Sequence, residues 1–252
     1  MMKYIATALL SLAAVSAQAG DASTYQTLGF SKDGKYFAFA ETGTQDGSGF
    51  HYANVAVVDV AKNKFAAAKN VVLEGEGDES TGSPEEALTK AVAELKLGRF
   101  GITRGANLGQ ELLVRLPTDY STYSGNTFSI DYWAEGGAST TVPKYDVVIE
   151  TSAGEDTSEG KWCSEFRGSA PELLKLSVVG KEGNGTEGFA QLLQQDKSLP
   201  KSRSCAGSYG VQRVIKKGNS LVIVLSFSEP GFEGPDVRHM VVTGKVDFPN
   251  EN

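Results

Sequence analysis

Alternation of apolar and polar positions with a period of two dominates the chain. Residues 37–42 alternate aromatic with small or polar side chains, 43–49 are rich in glycine, and 54–60 are apolar again, so 37–65 is predicted to be a hairpin with one buried face. Just before it, Asp33-Gly34 between Phe30 and Tyr36 marks a tight turn, because glycine takes positive φ without steric cost. Further strands are predicted at 111–116, 127–134, 145–150, 173–179, 210–215, 221–227 and 238–243. The turn sequences Glu135-Gly136-Gly137, Gly183-Asn184-Gly185 and Lys217-Gly218-Asn219 fall between them.

One segment changes period. Leu88, Ala91, Val92 and Leu95 recur at i, i+3, i+4, i+7 behind Ser83-Pro84-Glu85-Glu86, a capping box with proline at the first helical position. A helix over 84–96 follows, with Gly98 expected to stop it. Residues 188–194 read either as a short helical turn or as part of a long covering loop reaching Ser204. The pattern predicts a mainly β protein, its antiparallel hairpins forming a β-sandwich or a propeller-like stack, with the helix packed on one side.

The N-terminus is of another kind. Lys3, an apolar stretch over 5–15 and the small-x-small sequence Ala17-Gln18-Ala19 make a cleavable export signal, with cleavage expected between Ala19 and Gly20 and one β-rich exported domain over 20–252. No membrane span is expected in the mature chain, since no later segment is apolar for about 20 residues. The formal net charge of −7 grows by one negative unit when Lys3 leaves, which disfavours nucleic acid or an anionic membrane surface as a partner. Cys163 and Cys205 are the two cysteines. Outside the cytoplasm they are expected to pair, closing a loop worth about 4 kcal/mol of chain entropy.

Two loops echo each other. ETGTQDGSGFHY (41–52) and SEPGFEGPDVRH (228–239) each carry a Gly-Phe pair, acids and a nearby histidine between two apolar strands. One reading makes them two related loops flanking a site; the other makes them two ordinary hairpins with glycine where turns need it. If they form a site, the candidates are Asp46, Phe50, His51, Phe232, Glu233, Asp236 and His239.

The run LGFSKDGKYFAFAETGTQDGSGFHYANVAVVDVAKNKF (28–65) resembles the opening of the DUF2259 family of bacterial predicted secreted proteins, and SFSEPGFEGPDVRHMVVTG (226–244) resembles that family's other recognisable segment. The resemblance implies export and a β-rich fold, but no chemistry, because the family carries no established activity. The first hairpin, with its F-S-x-D-G-K-Y-x-A-F pattern and V-V-D-V ending, is also similar to a TolB-type β-propeller repeat; no further copy follows residue 65.

Catalytic signatures are sparse. His51 and His239 stand in no metal-ligand spacing, and Asp46 and Asp236 could complete a metal site only if the loops met. Neither G-x-S-x-G nor S-x-x-K occurs in a strand-to-helix context. The acids Glu74, Glu76, Asp78, Glu79, Glu85 and Glu86 lack the order of a calcium loop and read as a solvated approach to the helix. Phe128, Tyr132 and Trp133 alternate as core positions do, while Tyr120 and Tyr123 read as exposed. No motif implies a cofactor. The expected function is non-enzymatic binding of a small ligand or an envelope protein through the glycine-rich loops. The alternatives are an envelope hydrolase built on Asp46, Glu233 and Asp236, or a structural module docking through its strand edges.

Overall fold

The computed structural model describes residues 20–75, 81–115, 126–129, 144–181 and 187–248. The export signal at 1–19, Glu76, Asp78 and Glu79, the tyrosines Tyr120, Tyr123 and Tyr132, Trp133 and the turns at 135–137 and 183–185 lie outside the described residues.

Three four-stranded antiparallel sheets carry the chain. The first is a meander of β1 (Thr24–Phe30), β2 (Tyr36–Thr44), β3 (His51–Asp59) and β4 (Lys64–Leu73). The second is ordered β12-β11-β10-β5, from β5 (Gln110–Val114), β10 (Gly207–Lys217), β11 (Ser220–Pro230) and β12 (Pro235–Lys245). The third runs β6 (Thr127–Ser129), β7 (Lys144–Ala153), β8 (Glu172–Lys181) and β9 (Glu187–Gln195). Helix α1 (Pro84–Leu95) lies on the first sheet, and α2 (Trp162–Arg167) precedes β8.

The alternation dictates how these layers stack. In β11, Leu221, Ile223 and Leu225 point one way and join Val147, Leu174, Leu176 and Val178 of the third sheet. Val222 and Val224 point the other way and join Phe30, Phe37, Phe39 and Val58 of the first. The second sheet is therefore covered on both faces, which is why its central strand reads as an unbroken apolar run. The far face of the first sheet presents Ala38, Ala40, Val55 and Val57 to Leu88, Ala91 and Leu95 of α1. Helix, first, second and third sheet thus form a face-to-face stack of open sheets, the sandwich-like arrangement among those the pattern allowed.

The helix begins as expected: Ser83 Oγ accepts from the Glu86 N–H at 3.2 Å, with Pro84 at the first position. It stops earlier than Gly98. Lys96 itself takes the left-handed conformation at φ 55°, and Gly98 falls within a short 3-10 turn, Leu97–Phe100.

Residues 188–194 are neither a helical turn nor a loop; they belong to β9. Phe189 and Leu193 face the core as alternate residues, but Gln191 stands between them, and its Nε2 donates to the Lys245 carbonyl at 2.8 Å. A glutamine on the inward side and Leu192 exposed on the outer side hide the alternation. Beyond β9, the segment leading to β10 contains a short 3-10 turn, Lys201–Arg203. Cys163 of α2 and Cys205 form a disulfide, with Cα atoms 5.1 Å apart. Arg203 grips Asp196 with two bonds of 3.0 Å, and both side chains are nearly inaccessible. Burial pushes the Asp196 carboxyl up, but Arg203 and the Leu174 N–H outweigh it and hold it below its ordinary value.

Candidate functional site

The two glycine-rich loops meet. They are the tips of the β2–β3 and β11–β12 hairpins. Asp46 Oδ2 accepts from the Glu233 N–H at 2.8 Å, and Phe232 lies over Gly47, where a β-carbon would stand 3.6 Å from the ring. Within the first tip, the Gln45 N–H donates to the Phe50 carbonyl at 2.9 Å. In the second, Gly231 has no room for any side chain: a β-carbon there would fall 2.2 Å from Asp236 Oδ1.

Below the tips the hairpin stems hold a polar network. Residues 21–23 cross from one sheet to the other, pairing with β12 through Val237 N–H to the Asp21 carbonyl (2.8 Å) and Ser23 N–H to the Val237 carbonyl (3.0 Å). The crossing brings Asp21 to Arg238, whose Nη1 donates to Asp21 Oδ2 and to the Tyr52 hydroxyl, both at 2.6 Å. Its Nη2 donates to Asp236 Oδ2 at 2.7 Å. Gly43 permits this geometry, because a β-carbon on it would stand 2.6 Å from the Tyr52 hydroxyl. Burial raises the Tyr52 hydroxyl far above its ordinary pKa, so it remains a donor, toward Asp21 Oδ1.

A second branch runs through Glu41. Its Oε1 accepts from the Ser23 hydroxyl (2.9 Å) and from the His239 N–H (2.5 Å). Ser23 has a single proton, and giving it to Glu41 leaves Oγ to accept from His239 Nδ1, 2.9 Å away. His239 Nδ1 therefore carries a proton.

Beside this network opens a groove of about 720 Å³. Phe39, Ala56, Val58 and Phe65 of the first sheet form one wall, Phe227 and Met240 line the second sheet, and Pro200 and Arg203 close the far side. Glu41, Glu229, Arg238 and His239 supply polar atoms at the hairpin-stem end, and Asn63, Lys64, Lys69 and Gln194 are among those that supply them elsewhere along it. Volume and lining fit a small-molecule or peptide site, mostly apolar with a few convergent polar groups. Glu229 stands out. Burial pushes its carboxyl up to about 7, Arg238 opposes that, and the nearby charges of Glu41 and Asp236 add to it. At neutral pH it exchanges a proton easily, as a general acid or a pH-sensitive ligand group would.

Of the residues expected from the sequence, Asp46, Phe232 and Glu233 lie at the joined tips, Asp236 binds Arg238, and His239 alone lines the groove. His51 is on the other side of the first hairpin, its Nδ1 2.9 Å from Thr44 Oγ1, so the two histidines serve different networks. Asp46, Glu233 and Asp236 do not form a catalytic carboxylate set in the groove. Burial raises Asp236, against donation from the Asp21 N–H and the charge of Arg238. Among the described residues no cluster of three or more His, Cys, Asp or Glu side chains could hold a metal ion.

Glu41, Glu229, Arg238, Tyr52 and Asp21 were not anticipated. A signal for two of them exists in the alternation: Glu41 follows Phe37 and Phe39 on the inward face of β2, and Glu229 follows Leu225 and Phe227 on one face of β11. An acid at the end of an inward-facing apolar series marks a buried polar site.

No helix among the described residues is long and apolar enough to cross a membrane. No curated protein matches the chain at a significant level. A family model described as a predicted secreted protein, DUF2259, matches residues 38–245, starting inside the first hairpin and ending with β12. The chain belongs to the DUF2259 family of predicted secreted proteins.

Proposed function

We propose that the protein is a non-enzymatic binding protein of the bacterial envelope, acting in the periplasm or beyond it, and that its ligand occupies the groove between the hairpin stems rather than the loop tips. The single observation carrying this reading is Glu229, a carboxyl raised to about 7 in an apolar groove. Such a group is costly to keep ionised unless a ligand compensates it. The locked tips support the groove by fixing the two stems against each other.

A thermal-shift screen of the exported protein against sugars, nucleotides, amines and peptides tests the reading. A ligand at 100 times its Kd adds about 2.7 kcal/mol, readily visible as a higher Tm. The shift should shrink in Glu229→Gln and in Phe65→Ser, the latter a groove residue that is 64 % exposed and so dispensable to the core. A ligand whose shift ignores both substitutions places binding elsewhere.

A hydrolase remains the second reading, favoured by Glu41 and Glu229 lining the same groove with Glu229 poised near neutrality. Turnover of a screened compound that is lost in Glu229→Gln would establish it.

A further inference from the structure

β12 is the edge strand of the second sheet, and its register with β11 determines which backbone groups face outward. Val237 spends both its N–H and its carbonyl on residues 21–23, so it points away from β11. Antiparallel alternation then turns His239, Val241 and Thr243 outward as well. Two of their N–H groups are met by side chains that imitate strand carbonyls: Glu41 Oε1 accepts from His239 at 2.5 Å, and Asn63 Oδ1 accepts from Thr243 at 2.9 Å. Between these two stand-ins, the outward N–H and carbonyl of Val241 have no bond among the described residues. His239, Met240 and Val241 all line the groove. The groove therefore contains a short length of unpaired strand edge, capped at both ends and spanning about 13 Å from His239 to Thr243.

We propose, resting on the groove as the binding site, that its ligand is an extended peptide segment bearing a lysine or arginine, which adds as a strand to β12 between His239 and Thr243. The backbone of such a segment bonds the Val241 N–H and carbonyl. Its side chains alternate between the wall of Phe39, Val58 and Phe65 and the opposite wall of Phe227, Met240 and Pro200. The cation is set by charge complementarity. Of the cations lining the groove, Arg203 and Arg238 are committed to Asp196 and to Asp21 and Asp236, Lys69 pairs with Glu94, and Lys64 follows Asn63 at the Thr243 end, away from Glu41 and Glu229. Among the described residues Glu229 makes no ion pair, and the charge of Glu41 acts on it. A basic side chain at that end of the groove neutralises both carboxyls, whereas an acidic one meets repulsion.

The test selects displayed random heptapeptides on the protein purified after export, then compares each synthetic winner with its alternately N-methylated analogue. The expected winners alternate apolar residues with others and contain Lys or Arg. N-methylation at the inward amides weakens them about tenfold for each bond lost, and exchange of the Val241 amide proton slows on binding. No enriched peptide, or a Val241 amide already protected in the free protein, overturns strand addition. Winners indifferent to N-methylation but weakened by Glu229→Gln or Phe65→Ser also overturn it while leaving the groove as the binding site. Winners indifferent to N-methylation and to both substitutions overturn the groove as well.

Discussion

The backbone N–H of Glu233 donates to Asp46 Oδ2 at 2.8 Å across 187 residues of sequence, joining the tips of two hairpins that belong to different sheets. The bond is exposed, so it is worth little to global stability, about 1 kcal/mol or less. Its effect is local. Asp46→Ala should leave the Tm nearly unchanged while the Glu233 amide proton exchanges faster with solvent. An unchanged exchange rate in the variant would show that the contact of Phe232 with Gly47 alone holds the tips together.

Below the tips, Arg238 is shared by Asp21 and Asp236. Removing it strands the buried Asp21 carboxylate, whose side chain is only 2 % exposed. Arg238→Met should therefore cost about 3–5 kcal/mol, read as a lower urea midpoint. Arg238→Lys keeps the charge but cannot donate to Asp21, Tyr52 and Asp236 together, and should fall between the two. Adding Asp21→Asn to Arg238→Met should restore part of the loss, because the stranded charge is gone. If the double variant is no better than the single, the arginine acts through packing.

The Cys163–Cys205 disulfide joins α2 to the segment leading into β10 across 42 residues. Replacing both cysteines by alanine should lower stability by about 2–4 kcal/mol. Most of the loss should be local, since Arg203 with Asp196 and Arg167 with Ser228 still tie the two ends down. Proteolysis near 156–170 in the variant, with the rest of the chain intact, is the expected readout. Simultaneous loss of all three sheets would show instead that the staple supports the whole stack.

The elements the sequence revealed were those whose two faces differ or whose ends carry specific chemistry. Ser83-Pro84 starts α1 as its residue types require, and the alternation of Phe37 and Phe39 places β2 on the core. β9 was hidden because Gln191 satisfies an inward position with a backbone carbonyl, a partner that only the fold supplies. β4 was missed beyond Phe65 because its small residues, Ala66 to Ala68, carry little periodic signal. The convergence of the two loops was legible as an echo, but the groove was not: it is assembled from β2, β3, β4, β11, β12 and the segment at 200–203, and no local pattern records which strands become neighbours. His239 was the one expected residue that reached it, while Glu41 and Glu229 needed their inward-facing positions to be read as a warning.

Glu229 makes the groove's electrostatics measurable without any ligand. Its carboxyl titrates near 4.5 in an unperturbed chain and is pushed up to about 7 by burial in the folded protein. Between those values the native protein keeps a proton that the unfolded chain has released. Its contribution to stability is therefore complete below about 4.5 and is lost as pH rises through 7. Glu229→Gln cannot ionise, so it should lose less stability than the wild type between pH 5 and pH 8. The difference should be on the order of 2 kcal/mol once partial solvent exposure is allowed for. Urea unfolding of both proteins at the two pH values decides the matter. The other titrating groups are common to both chains and cancel in the comparison, so parallel pH profiles would mean that Glu229 ionises freely and that the groove is more polar around it than its apolar walls imply.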